Sequence, residues 1–195
     1  MGFDFRHTLS EIRQAEIKYM HVLIRPEQPA DYPTVFQIVE EAFLEMKYSS
    51  HTEQFIVEKL RKTDAYIPAL SLVAELEGKI VGHIILSKIH IDNGTKLFDA
   101  LTLGPVSVLP ELHRQGIGSQ LIKMVHKVAK ALGHKIIVLL GHKDYYPRFG
   151  YEKTSKYGIK LPFDAAEENC MVIGLTPTAL TGVNGTVVYS KPFLE

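Results

Sequence analysis

Between residues 70 and 108 the apolar positions abandon a helical period, and the stretch is cut by Asn93-Gly94 in "IDNGT". Asn-Gly takes the positive φ angles of a type I′ turn, so two strands meet there in a tight antiparallel hairpin. A second break at Glu77-Gly78 divides the preceding run, "LSLVAELEGKIVGHIILSKIHI". Three strands, roughly 70–76, 79–91 and 96–108, therefore form a meander. From Gly116 to Leu132 the period changes. Ile117, Leu121, Val125, Val128 and Leu132 recur at helical spacing, and Gly133 stops the helix. "KIIVLLG" is then a short continuous apolar run, as in a buried strand. A strand–helix–strand unit closes by a right-handed crossover, so its two strands lie parallel. The fold class is α+β, with a mostly antiparallel sheet and one parallel step.

The flanks fit this frame. "HVLIR", His21 to Arg25, reads as a first strand. Asp31 is placed to cap a helix carrying Val35, Ile38, Val39, Ala42 and Phe43, with Pro33 tolerated in its first turn. A second helix, Thr52 to Arg61, turns Phe55, Ile56 and Leu60 inward. "DYYPRFGYEK" makes a single helical turn, and strands near Glu168–Leu175 and Thr186–Ser190 close the chain. Residues 1–20 suit a helical extension, and 21–195 form one domain.

Composition narrows the partners. The 22 Lys and Arg balance 22 Asp and Glu, so no global field recruits nucleic acid or a membrane surface, and any anion site is local. The single cysteine, Cys170, excludes an internal disulfide, fits a reducing cytoplasm and reads as a small core residue. No apolar run nears the roughly 20 residues of a membrane span. Nine scattered histidines, His83 and His90 among them, lack metal-ligand spacing. The expectation is a cytoplasmic protein with no metal.

A glycine pair then raises the question of a ligand. In "HRQGIGSQ" Gly116 and Gly118 precede a helix. A dinucleotide fingerprint fails, because Leu121 replaces the third glycine and no acid follows in "KIIVLL". A P-loop fails, because Ser119-Gln120 follows Gly118. Two readings stay open for these residues alone: a pyrophosphate cradle made of backbone N–H groups at a helix start, or a Gly-rich turn with no ligand.

Three stretches in order, "GKIVGHIILS", "LGPVSVLPELHRQGIGSQLI" and "LGHKDYYPRFGYEK", resemble the GNAT superfamily of acyl-CoA-dependent N-acyltransferases, and its YhbS-like bacterial branch in particular. The resemblance runs from about Val22 to the C-terminus. It implies the GNAT fold, a mixed, mostly antiparallel sheet splayed between strands four and five and flanked by helices. It implies acetyl-CoA as cofactor, held by the main chain of Val106, Ser107 and Val108 and by His113, Arg114, Gln115, Gly116, Ile117, Gly118 and Ser119. His113 stands where the family usually has Gln or Arg, and Arg114 supplies a local charge. The implied reaction is direct attack of a primary amine on the thioester. Tyr146, four residues before Gly150, is the implied general acid, on a turn capped by Asp144 and stiffened by Pro147. For the base, Asp99, His142 and water all remain. Arg148 meets the cofactor's phosphates or faces solvent. The acceptor, a small-molecule or peptide amine, meets a wall that includes Phe43, Tyr48, His51 and Glu53. A non-catalytic acyl-CoA-binding module is the alternative, and the superfamily favours a homodimer.

Overall fold

The computed structural model describes residues 22–46 and 49–194, so the expected N-terminal helix and Tyr48 lie outside it. Among the described residues the strands form one nine-stranded sheet. They are β1 Leu23–Pro26, β2 Tyr66–Leu76, β3 Lys79–Asp92, β4 Leu97–Val108, β5 Ile136–Leu140, β6 Glu152–Lys153, β7 Ile159–Lys160, β8 Cys170–Gly174 and β9 Gly185–Val188. The main order is β1-β2-β3-β4-β5-β8-β6, with β9 pairing both β3 and β7. The meander is antiparallel, and β4–β5 is the expected parallel step, with Leu101 opposite Ile137 and Thr102 opposite Val138. β2 begins earlier than the sequence indicates. Pro68 cannot donate to a ladder, and the register jumps between Tyr66 and Ser71.

Among the described residues three α-helices, α1 Tyr32–Phe43, α2 Glu53–Leu60 and α3 Ile117–Ala131, cover the two faces of the sheet. Neighbouring strand residues point to opposite faces. Leu72 and Ile84 therefore pack under α3 with Leu121 and Val125, while Val73 and Ile85 pack under α1 and α2 with Val35, Val39, Val57 and Leu60.

Several inward assignments shift. Phe55 is 45% exposed and lies edge-on to Phe36, their ring centroids 5.3 Å apart. The buried positions of α2 are Gln54, Val57 and Leu60, three residues apart. In α3 the buried stripe runs through Ile117, Leu121, Ile122, Val125 and Ala129. Leu132 is 51% exposed because the helix stops at Ala131. Asp31 precedes α1 but does not cap it. Its carboxylate accepts from the Arg25 guanidinium at 2.6 and 3.1 Å and from the Gln28 N–H at 2.7 Å, clamping β1 to the turn that enters the helix.

Candidate functional site

The site begins where β4 leaves the ladder. Ile84 pairs with Val106 and Leu86 with Leu103, so Gly104 and Pro105 together oppose Ile85. That is a β-bulge. A Cβ at Gly104 would stand 2.9 Å from Ile85 Cγ2, and Pro105 has no N–H to donate. The β4–β5 ladder ends at Thr102 and Val138, whereas β5 stays paired with β8 through Leu140. Beyond the bulge, β4 thus presents an unpaired edge.

Which groups face the gap follows from alternation. The Leu109 N–H donates to Val81 O at 3.0 Å, towards β3. In an antiparallel ladder the main chain of Ser107 then also faces β3, and those of Val106 and Val108 face the gap. Ser107 O stands 2.9 Å from the position a Gly82 Cβ would take, consistent with that direction. Of the three strand residues named from the sequence, the structure turns two outward.

The glycine loop follows. A turn at Pro110–Leu112 leads to His113, whose Nε2 donates to Val108 O at 2.8 Å. The histidine ring therefore braces the loop against the strand end. Arg114 has φ 64° and Gly116 has φ 85°, two left-handed residues that flank Gln115. For Arg114 that conformation carries strain, of the kind that collects at ligand clamps. Among the described residues, the backbone N–H groups of Arg114, Gln115, Gly116, Ile117, Gly118 and Ser119 have no hydrogen-bond acceptor. The Ile117 side chain is buried in the core, so only its main chain is available. Six free donors and the positive end of α3 make a cradle suited to an anion.

The turn Tyr146–Phe149 closes the other side, and Gly150 ends it at φ 95°. Asp144 does not cap it; the turn starts after Tyr145 with no side-chain cap. Tyr145 Oη lies 3.2 Å from the position a Gly118 Cβ would take, so the turn and the cradle adjoin. The Tyr146 ring packs edge-on to Tyr145 at 5.2 Å and to Tyr151 at 5.7 Å. Gly141 is required beneath it, because a Cβ there would reach Tyr146 Cε2 at 2.3 Å. Burial, with Tyr145 nearby, pushes the Tyr146 phenol well above its usual value. Buried Tyr151 shares a 2.9 Å hydrogen bond with His126 Nε2 on α3. Sequence reasoning missed this pair. Its one available signal was a histidine beside Val125 on the inward stripe of the helix.

Other candidates lie elsewhere. Asp99 is on β4 but at the end remote from the bulge, exposed and paired with His90 Nδ1 at 3.3 Å. His142 is exposed, and its carbonyl accepts from the Tyr145 and Tyr146 N–H groups at 3.0 and 3.4 Å. The Arg148 guanidinium stacks 3.8 Å over the Tyr145 ring. His83 is buried under α1 and α2, where Nε2 donates to Ser71 Oγ at 3.0 Å. Ser71 donates onward to Glu27, which Arg61 grips. Among the described residues no group of three His, Cys, Asp or Glu side chains could hold a metal ion, and no helix is long and apolar enough to cross a membrane.

Known proteins share this architecture. The family model described as an acetyltransferase (GNAT) domain matches residues 23–154. The uncharacterized N-acetyltransferase YjhQ of Escherichia coli K12 is 35% identical over 136 residues, 67% of this chain and 75% of its own. Among solved structures, Escherichia coli YhbS in complex with CoA superposes with a TM-score of 0.81 at 25% identity, covering 90% of this chain and 93% of its own. A GNAT acetyltransferase from Brucella melitensis, in complex with acetyl-CoA, gives 0.73 at 34% identity over 89% and 98%. The stretch that the family model matches runs from β1 to the end of β6 and contains the bulged strand, the glycine loop and the tyrosine turn, and the chain belongs to the GNAT acetyltransferase family.

Proposed function

We propose that the protein transfers an acetyl group from acetyl-CoA to a primary amine by direct attack on the thioester. The observation that carries this reading is the run of six unpaired N–H groups, Arg114 to Ser119, beside the unpaired edge of β4. Two solved relatives support it, because they hold CoA and acetyl-CoA on the same fold.

The residues present fit the cofactor. The N–H groups of Arg114 to Ser119 would grip the pyrophosphate; Gly116 supplies the left-handed turn, and glycine at 118 leaves room for the backbone to approach it. Outward main-chain groups of Val106 and Val108 accept the amides of the pantetheine arm as a missing strand would. His113 acts through Val108 and holds the loop in place. Acetyl-CoA itself supplies the activated acyl group. Tyr146 keeps its proton on Oη and, as general acid, would pass it to the CoA thiolate released when the amine forms its bond to the acetyl carbon and the C–S bond breaks. With Asp99 remote and His142 exposed, water carries away the amine proton.

Thermal unfolding in parallel with acetyl-CoA, free CoA and NAD tests the reading. A ligand at 100 times its Kd stabilises the fold by about 2.7 kcal/mol. Both CoA forms should raise the midpoint and NAD should not. No shift with either CoA form would reduce the loop to a turn.

A further inference from the structure

We propose that His126 and Tyr151 are positioning residues for the transfer, an inference that rests on the acetyl-transfer reading. Their hydrogen bond fastens the Tyr146 turn to α3, the helix whose start forms the cradle. Tyr151 follows Gly150 directly and is 3% exposed. His126 lies on α3, about two and a half turns after Ile117. Its Nε2 stands 2.9 Å from the Tyr151 phenol oxygen, with the two rings tilted at 53° and their centroids 5.5 Å apart. Burial lowers His126 to about 4, so the imidazole is neutral at ordinary assay pH and the bond keeps one character.

The Tyr146 ring, by contrast, is held by contact. Three surfaces define its place: the Gly141 backbone after β5, the Tyr145 ring at 5.2 Å, and the Tyr151 ring at 5.7 Å and 77°. Edge-to-face contacts have broad minima, so a ring slides or pivots within them at little cost. A hydrogen bond is directional and fixes the far end of the ring that makes it. Tyr145 also approaches α3, with its Oη 3.2 Å from the position a Gly118 Cβ would take, but that is a contact without a hydrogen bond. Of the three surfaces around Tyr146, only Tyr151 is bonded to α3 among the described residues.

One helix therefore serves both sides of the reaction. The first turn of α3 carries the Ile117, Gly118 and Ser119 N–H groups of the cradle, and its middle carries the anchor of the acid. The offset between bound cofactor and proton donor is set within a rigid element instead of across two loops. Turnover is sensitive to that offset, because a misplacement of about 1 Å by a change outside the chemistry can cost about 10²-fold. Acetyl-CoA binding is not, because the pair takes no part in the cradle. Loss of the bond should thus act on kcat and spare KM.

Release of the CoA thiol from acetyl-CoA by the full chain, with n-butylamine and glycinamide as probe amines, tests this. Tyr151→Phe removes the phenol oxygen and keeps the ring. It should lower kcat about tenfold and leave the acetyl-CoA KM within about twofold. His126→Leu should do the same, and the double variant should cost no more than either single one, as for two residues that act through one bond. His126→Gln, whose amide can meet the phenol, should recover most of the rate. If His126→Leu does not fold, Tyr151→Phe and His126→Gln decide. A Tyr151→Phe kcat equal to wild type, a KM that rises as kcat falls, or no recovery in His126→Gln overturns the positioning role. A wild-type protein that binds CoA but releases no thiol with either amine removes the parent reading, and this inference with it.

Discussion

Tyr146 sits against three aromatic or glycine surfaces, Tyr145, Tyr151 and Gly141, so its ring has little freedom to turn. Burial raises its pKa, and the hydroxyl therefore stays a donor across the working pH range. Tyr146→Phe removes the donor and keeps the packing. It should lower kcat by about 10²-fold or more, the usual contribution of a general acid, while acetyl-CoA binds as before. Turnover equal to wild type would dismiss the acid role. At this scale the sequence was legible where a residue type is tied to a turn, as Tyr146 is to Gly150. It was silent where a residue acts through a distant partner. His126 and Tyr151 are 25 positions apart and meet only after α3 folds onto the sheet.

The bulge and the glycine loop are properties of elements; the loop's residues alone left a cradle and a bare turn both open, and the bulge emerged with the register of β3 and β4. Gly-Pro within a strand has few uses other than to break a ladder, and a hairpin at Asn-Gly has few alternatives. Helix faces were less legible. With 3.6 residues per turn, apolar residues either side of the stripe compete, and Phe55 and Leu132 lost to Gln54 and Ala129. The two cradle glycines should separate by experiment. Gly116 has φ 85° with open space where a Cβ would go, so Gly116→Ala adds backbone strain alone. It should cost about 1–2 kcal/mol, or several degrees of melting temperature. A Cβ on Gly118 meets the far end of Tyr145 at 3.2 Å, which can yield, and touches Val108 and Val106 only at ordinary contact distance. Gly118→Ala should cost less stability but raise the acetyl-CoA Kd about tenfold or more, because the methyl group stands in the cradle. Calorimetry of the two variants, with and without ligand, distinguishes a strain effect from a contact effect. Equal losses in both quantities for both variants would contradict this division.

At the scale of the whole molecule, two histidines on opposite faces of the sheet tie stability to pH. Burial, with the Arg61 charge, lowers His83 to about 3, and burial lowers His126 to about 4. Glu27 lies 3.8 Å from His83 Nε2 but does not reverse this, since its carboxylate is engaged by Arg61 and Ser71. In the unfolded chain both imidazoles titrate near the ordinary value of about 6.5. Between roughly pH 6.5 and 4 the unfolded state therefore binds more protons, and folding stability must fall as the pH falls. Each histidine contributes up to about 1.4 kcal/mol per pH unit in that window, and its contribution is complete above pH 6.5. Asp31, whose carboxyl the Arg25 guanidinium holds low, adds its own loss only below about pH 4. Urea unfolding at pH 7, 6, 5 and 4.5 should show a slope of about two protons or more, since partly buried His134 is also lowered by burial and adds a smaller share, and His126→Gln should reduce it by about one. Because His83 is walled in on the α1–α2 face and His126 on the α3 face, the two contributions should add, as they do for sites with no shared partner. A flat profile between pH 6.5 and 4.5 would mean that these imidazoles are already charged in the folded protein, and that the sheet tolerates a cation on both faces.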